Sequence, residues 1–406
     1  MTEERIESSM ILKILSNRSY ALASALALIV TSSTSAFSSL RPSEKVQPDS
    51  QMQKVLTEQK KLGLKPFANL SVEEARKQPS LNQAAFKILQ IEGKSKSPIG
   101  DITTKTLSIE GKNGPIPLRI YHPDGVQGDL PVIVYYHGGA WVLGDLDSAD
   151  SSARALAKES QSIVVSVDYH RAPEKPFPAS HQDAYTAYEW AWKNASSYNG
   201  DSARVAVAGE EAGANLAANV SLSALTHSIP APVYQLLIDP IISTQLEGEA
   251  YNNPAFTIPY SKADMSWFLK QELTSEEAKQ SPKVNLLKAD LAGMPPTTII
   301  TAQLAPSRSE AEALVKKLKE AGVNVAVNEY PGVTQGFFGL GQVVRQAQNA
   351  EVYAAQQLTH AFQKTPPGAD AEAKQSVIDS QQKPADFSKA SPQPQKNASG
   401  EKPDTD

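Results

Sequence analysis

A chain of 406 residues with 40% hydrophobic and 20% charged residues has the composition of a globular protein, long enough for one large domain or two small ones. Its net charge of -5 argues against nucleic-acid binding, which needs a basic face. Cysteine is absent, which excludes a disulfide framework, a thiolate metal site and a thiol nucleophile, and the whole supply of imidazole is His122, His137, His170, His181, His227 and His360.

In chain order, residues 1–36 read as a secretory signal. Lys13 and Arg18 precede the apolar run Tyr20–Val30, which is short for a bilayer span, and Thr34-Ser35-Ala36 supplies small residues for cleavage. The expectation is export to the periplasm or medium, with no stable membrane span after cleavage; an uncleaved anchor helix is the alternative. Residues 37–100 contain two helical patterns, Gln51–Leu62 and Ser71–Gln90.

From 101 to 362 the pattern alternates strand and helix. Strands are predicted at Thr104–Glu110, Pro117–Tyr121, Pro131–Tyr136, Ile163–Asp168, Val205–Ala208, Val233–Ile238, Thr297–Ala302 and Val323–Glu329. The middle ones are apolar on both faces, as in a parallel sheet covered on both sides. Helices are predicted at Ser148–Lys158, Ala179–Ala195, Ala212–Leu225, Ser307–Ala321 and Gln342–Phe362, with Tyr251–Leu273 as an insertion. Residues 363–406 carry six prolines and few large apolar side chains, and read as a disordered tail.

Three motifs carry chemistry. His137-Gly138-Gly139-Ala140-Trp141 follows an apolar strand, where glycines let backbone N–H groups face a cleft, as an oxyanion hole requires. Ser166-Val167-Asp168-Tyr169-His170-Arg171-Ala172-Pro173-Glu174 comes next, followed by Phe177-Pro178-Ala179 and Asp183-Ala184. The third stretch runs from Gly200-Asp201 through Val205-Ala206-Val207-Ala208 to Gly209-Glu210-Glu211-Ala212-Gly213-Ala214.

Together these segments resemble the hormone-sensitive-lipase-like family of α/β-hydrolases, whose bacterial members are carboxylesterases. The likeness runs over about 310 residues, to Phe362. It implies an α/β fold with a mostly parallel eight-stranded sheet, helices on both faces, and a helical cap built from residues 37–100 and an insertion at about 245–290. It also implies hydrolysis of short to medium acyl esters by a Ser-Asp-His triad. By match, the oxyanion N–H groups are those of Gly138, Gly139 and Ala212.

The triad positions themselves depart from the family pattern. The elbow G-x-S-x-G has Glu211 at the serine position. The acid position, in Ala305-Pro306-Ser307-Arg308-Ser309-Glu310, is Ala305. The base position, in Tyr330-Pro331-Gly332-Val333-Thr334-Gln335-Gly336-Phe337, is Gln335. A serine hydroxyl needs a base, and the base an orienting acid. Losing one principal member costs about as much as losing all three, on the order of 10⁴ to 10⁶ in rate.

Glu211 then has three readings: a carboxylate nucleophile like the aspartate of dehalogenases and epoxide hydrolases, a ligand-binding carboxylate at a helix N-terminus, or drift in an idle pocket. Asp239 ends the sixth strand, where some α/β-hydrolases keep an acid. Glu210 is expected to point away from the cleft, and His137 to make a structural hydrogen bond. Trp141, Phe256, Trp267, Phe268 and Phe337 are expected in the cap and pocket, or in the core. No metal-ligand spacing, phosphate loop or nucleotide fingerprint is present, so no cofactor is expected. The leading expectation is an exported pseudoenzyme that binds a small amphipathic or acyl ligand in the former ester pocket. A carboxylesterase with rewired catalysis and a protein-interaction module are the rivals.

Overall fold

A computed structural model describes residues 46–94, 101–227 and 229–365. The signal-like segment 1–36 and the tail beyond Thr365 lie outside the described residues.

The sheet has eight strands: β1 (Ile102–Gly111), β2 (Gly114–Pro123), β3 (Leu130–Tyr136), β4 (Ile163–Val167), β5 (Gly200–Glu210), β6 (Gln235–Ile238), β7 (Thr297–Leu304) and β8 (Val325–Thr334). Their spatial order is β1-β2-β4-β3-β5-β6-β7-β8. β1 and β2 form an antiparallel hairpin across Lys112-Asn113, and β2 runs antiparallel to β4; every other pairing is parallel. Side chains alternate between two cores. Val132, Val134 and Tyr136 join one, Ile133 and Tyr135 the other. Helices α5 (Ala179–Asn194), α6 (Ala212–Thr226) and α10 (Arg308–Glu320) cover the first face; α4 (Asp150–Ser160) and α11 (Arg345–Lys364) cover the second. This is the α/β-hydrolase arrangement that the resemblance implies.

Several boundaries differ from expectation. The single helix predicted at Ser71–Gln90 is two, α2 (Val72–Arg76) and α3 (Leu81–Ile91). Pro79 stops continuation, and Ser80 starts a new helix through a capping box with Gln83. The Tyr251–Leu273 insertion is also divided, into α7 (Glu249–Asn252) and α8 (Lys262–Glu272), with Pro254 and Pro259 between them and a Ser261–Asp264 capping box opening the second. A short α9 (Glu276–Gln280) follows, and α1 (Ser50–Lys61) precedes them all. β8 continues to Thr334, past the predicted Glu329, and so delivers Gln335 to the carboxyl edge of the sheet.

The two sequence-distant cap segments meet. Phe67 packs against Tyr260 and Phe268, with ring centroids 5.6 and 5.3 Å apart, and the Ala68 N–H donates to an Asp264 carboxylate oxygen at 2.8 Å. Arg76 reaches from α2 to the body. It donates to the carbonyls of Val142 (3.1 Å) and Ala172 (2.9 Å) and pairs bidentately with Glu174 at 2.7 Å. Among the described residues, no helix is long and apolar enough to cross a membrane.

Candidate active site

β5 turns into α6 through Gly209-Glu210-Glu211-Ala212-Gly213. Glu211 sits at the corner with φ 53° and ψ -114°, a conformation that costs a non-glycine residue free energy and marks a strained elbow. Its N–H donates to the Ile238 carbonyl at 2.8 Å, and its own carbonyl accepts from the Ile241 N–H at 3.2 Å. The flanking glycines are held by packing. A Cβ on Gly209 would overlap the Gly213 carbonyl, and one on Gly213 would overlap the carbonyls of Tyr136 and His137. These contacts explain why both glycines stand here without a serine between them. Gly213→Ala forces the first turn of α6 away from the carboxyl end of β3. We expect it to destabilise the fold by about 3 kcal/mol or more, measured by chemical denaturation; a loss under about 1 kcal/mol would show that the elbow can relax.

The Glu211 side chain folds back into the turn formed by His137-Gly138-Gly139. Its Oε2 accepts the Gly139 N–H at 2.9 Å, and its carboxylate lies against the Gly138 Cα, where a Cβ would come within 3.1 Å. The carboxylate thus occupies the amide that would bind a substrate oxyanion in a hydrolase of this fold. Glu211 is only 4% exposed. Burial raises its pKa, and the Gly139 N–H opposes the shift.

The other two positions converge on the same place. Gln335 is fully buried beside the Glu211 carboxylate. Proximity to Gln335 favours the Glu211 charge, yet neither Gln335 Oε1 nor Nε2 makes a hydrogen bond of good geometry, so the amide is a neighbour rather than a clamp. Ala305 is fully buried after β7, and its carbonyl accepts from the Arg308 N–H. Ala212, the third oxyanion position by match, is buried at the first turn of α6, whereas Gly138 and Gly139 remain partly exposed.

Asp239 follows β6 with φ 44°; its Oδ1 accepts the Ala302 N–H at 2.7 Å, while Oδ2 has no partner. Burial lifts its pKa far above the ordinary carboxylate range, and the charges of Glu211 and Glu210 add to that. Glu210 points to the opposite face, where its Oε1 accepts the Tyr135 hydroxyl at 2.5 Å and burial pushes it up to about 7.

His137 is in the same turn as the Glu211 carboxylate, and its buried Nε2 makes no hydrogen bond. The His137 Nδ1 is 2.7 Å from the Gly138 carbonyl, and its ring stacks on Tyr169 at 4.3 Å. His170 pairs with Asp183 at 2.6 Å; His227 and His360 are exposed. His181 lies in a buried network that sequence reading did not find. Its Nε2 is 3.1 Å from Asn215 Oδ1, and its Nδ1 is 3.3 Å from the Ser180 hydroxyl, which also donates to Glu272 Oε1 at 3.2 Å. Burial pushes His181 down to about 4 and Glu272 up to about 8, so both are neutral near pH 7. The partners lie 34 and 92 positions apart, so no local signal marks them.

Of the aromatic residues, Trp141 and Phe337 are core: both are fully buried, and Phe337 packs on Tyr330. Phe256 is buried in a small cluster with Ala250 and Leu304. Phe268 is buried in the cap, against which Trp267 packs edge-on. Burial raises the pKa of the phenol of Tyr260, a cap residue not singled out from sequence, and the nearby Glu211 charge adds to the shift. Among the described residues, no group of three or more His, Asp or Glu side chains is arranged to hold a metal ion.

Comparison with known proteins agrees with this architecture. Residues 133–339 match the family model described as alpha/beta hydrolase fold. The chain is 36% identical over 253 residues to the carboxylesterase NlhH of Mycobacterium tuberculosis, covering 61% of this chain and 79% of the relative. It is 29% identical over 259 residues to an arylesterase of Saccharolobus solfataricus, covering 62% and 81%. The crystal structure of a thermostable esterase from Pseudomonas putida superposes with a TM-score of 0.70 at 30% identity, covering 80% of this chain and 99% of that one. Sheet order, elbow, cap and these matches agree, and the chain belongs to the α/β-hydrolase family, in its hormone-sensitive-lipase-like group with the bacterial carboxylesterases.

Proposed function

We propose that this chain is a non-hydrolytic member of its family that binds a small amphipathic or acyl ligand beneath the cap. One observation carries the proposal: the Glu211 carboxylate is seated on the Gly139 N–H, the position an ester's developing oxyanion must take. With Ala305 and Gln335 at the other triad positions, no imidazole occupies the position of the family's base. A ligand beneath the cap would lie between Gly138 and Gly139, which are partly exposed, and the aromatic wall of the cap, where Tyr260 is near enough to feel the Glu211 charge. Such a wall favours an apolar body with one polar end. Export to the periplasm or medium, from the signal-like residues 1–36, belongs to the same proposal.

The second reading is an ester hydrolase with rewired catalysis. It is favoured by the esterase names of the relatives and by the retained strain at the elbow. Its base would be Glu211, acting on water. One assay separates the two. Purified protein is expected to turn over p-nitrophenyl acetate no faster than a Glu211→Ala variant, while medium-chain fatty acids raise its melting temperature. A rate about 100-fold above that variant, the usual worth of a working acid–base group, would establish the hydrolase reading instead.

A further inference from the structure

Three of the five large hydrophobic side chains that stand exposed among the described residues lie on the two N-terminal cap helices: Leu62 (41% exposed) just after α1, and Phe86 (38%) and Ile91 (68%) on α3. The buried side of α3 is Leu81, Ala84, Ala85, Ile88 and Leu89. At 100° per residue, Phe86, Lys87, Gln90 and Ile91 therefore share its outward arc. Leu62 and Phe86 line one shallow cleft of about 320 Å³ together with Lys77 and Lys87. α1 and α3 are antiparallel neighbours, since Lys54 pairs with Glu92 at one end and the Gln59 amide donates to the Pro79 carbonyl near the other.

Charge is concentrated on the same segment. Residues 50–94 hold eight basic and four acidic residues, a surplus of four in a chain whose net charge is -5. Lys60, Lys65 and Lys87 are exposed and have no ion-pair partner among the described residues. Apolar side chains standing proud of a helical surface, interleaved with unpaired lysines, match a bilayer interface with anionic headgroups: the methylene-rich groups enter the acyl boundary and the ammonium groups stay at the phosphates. Lasting attachment to a bilayer takes two such signals. The exposed lysines supply the second beside the apolar side chains, so the face carries both signals whether or not residues 1–36 are removed.

We propose that the outer face of α1 and α3, centred on Leu62, Phe86 and Ile91, docks the protein on an anionic lipid bilayer, with the cap toward the membrane. The test uses the full chain, vesicles of phosphatidylcholine with and without phosphatidylglycerol, and co-sedimentation. Wild type is expected to partition onto the anionic vesicles and to be released by salt. Phe86→Asp/Ile91→Asp and, separately, Lys60→Glu/Lys87→Glu are each expected to lower the partition coefficient roughly tenfold or more. All four side chains are exposed, so the melting temperatures should stay near wild type. Variants that partition like wild type would overturn the proposal and assign any binding to residues 1–45. Equal binding of wild type to neutral and anionic vesicles would overturn it too. So would a concentration-dependent dimer that the Phe86→Asp/Ile91→Asp variant abolishes while vesicle binding is unchanged, which would make a second copy the occupant.

Discussion

The combined substitution Glu211→Ser, Ala305→Asp and Gln335→His is expected to create hydrolysis of short acyl esters at least about 10³-fold above the unsubstituted protein. The elbow already holds its strained φ, and the Gly139 amide, the proposed oxyanion donor, is occupied by the Glu211 side chain. Shortening that side chain frees the Gly139 N–H. The other two changes supply a base and its orienting acid from the ends of β8 and β7. Glu211→Ser alone should stay inert, because the hydroxyl has no base, and Gln335→His alone leaves the carboxylate in the hole. Non-additivity is the signature, since the three groups act as a unit. Initial rates with p-nitrophenyl acetate for the three single variants and the triple variant decide the matter. A folded triple variant with no turnover would sink the positional match; full activity in one single variant would reveal another base.

The second large effect is on stability at alkaline pH. Burial pushes Glu272 and Glu351 up to about 8, and Glu210 and Glu310 up to about 7. Each folded-state value lies above the unfolded value of about 4.5, so the folded chain holds protons that the unfolded chain has released between these limits. The stability contributed by these protons is fully present below about pH 4.5 and is lost as pH rises through 7 to 8. Melting temperature is therefore expected to fall steadily between pH 6 and 9. Glu272 offers the clearest single test: its Oε1 accepts the Ser180 hydroxyl and its Oε2 has no partner. Glu272→Gln mimics the protonated acid. It should leave stability near that of wild type at pH 5 and raise it by roughly 3–5 kcal/mol at pH 9. Parallel denaturation curves at the two pH values would show the gain only at the higher one; an equal effect at both would mean that the group is not titrating.

Much of this architecture is readable from local pattern. Ile163–Asp168 differs from the observed β4 by one residue, and Val205–Ala208 lies inside β5, because strands buried on both faces appear as unbroken apolar runs. The divided helices were also marked, by Pro79 before Ser80 and by Pro254 and Pro259 before Ser261; a helical period alone runs through such breaks. The elbow and the glycine turn are found by motif, since backbone geometry constrains which residues fit there. What Glu211 does with its side chain is not legible. The bond to Gly139 closes across 72 positions and depends on a rotamer. The network of His181, Asn215, Ser180 and Glu272 is hidden for the same reason: in sequence its members look like ordinary polar residues of amphipathic helices.

The grip of Arg76 bears on how such a chain could be recombined. Four hydrogen bonds run from one guanidinium in α2 to the loop after the glycine turn and to the Ala172–Glu174 segment. The first cap segment and the loop bordering the glycine turn are thus one mechanical unit, although about 70 to 100 positions separate them along the chain. A chimera that takes residues 50–94 from a relative must bring an arginine matched to this glutamate and these two carbonyls. Otherwise the graft lands on two orphaned acceptors and an unpaired acid, and the loop that shapes the cleft loses its strut. The natural crossover unit is therefore the cap segment together with its docking loop, which would be inherited and exchanged as a pair.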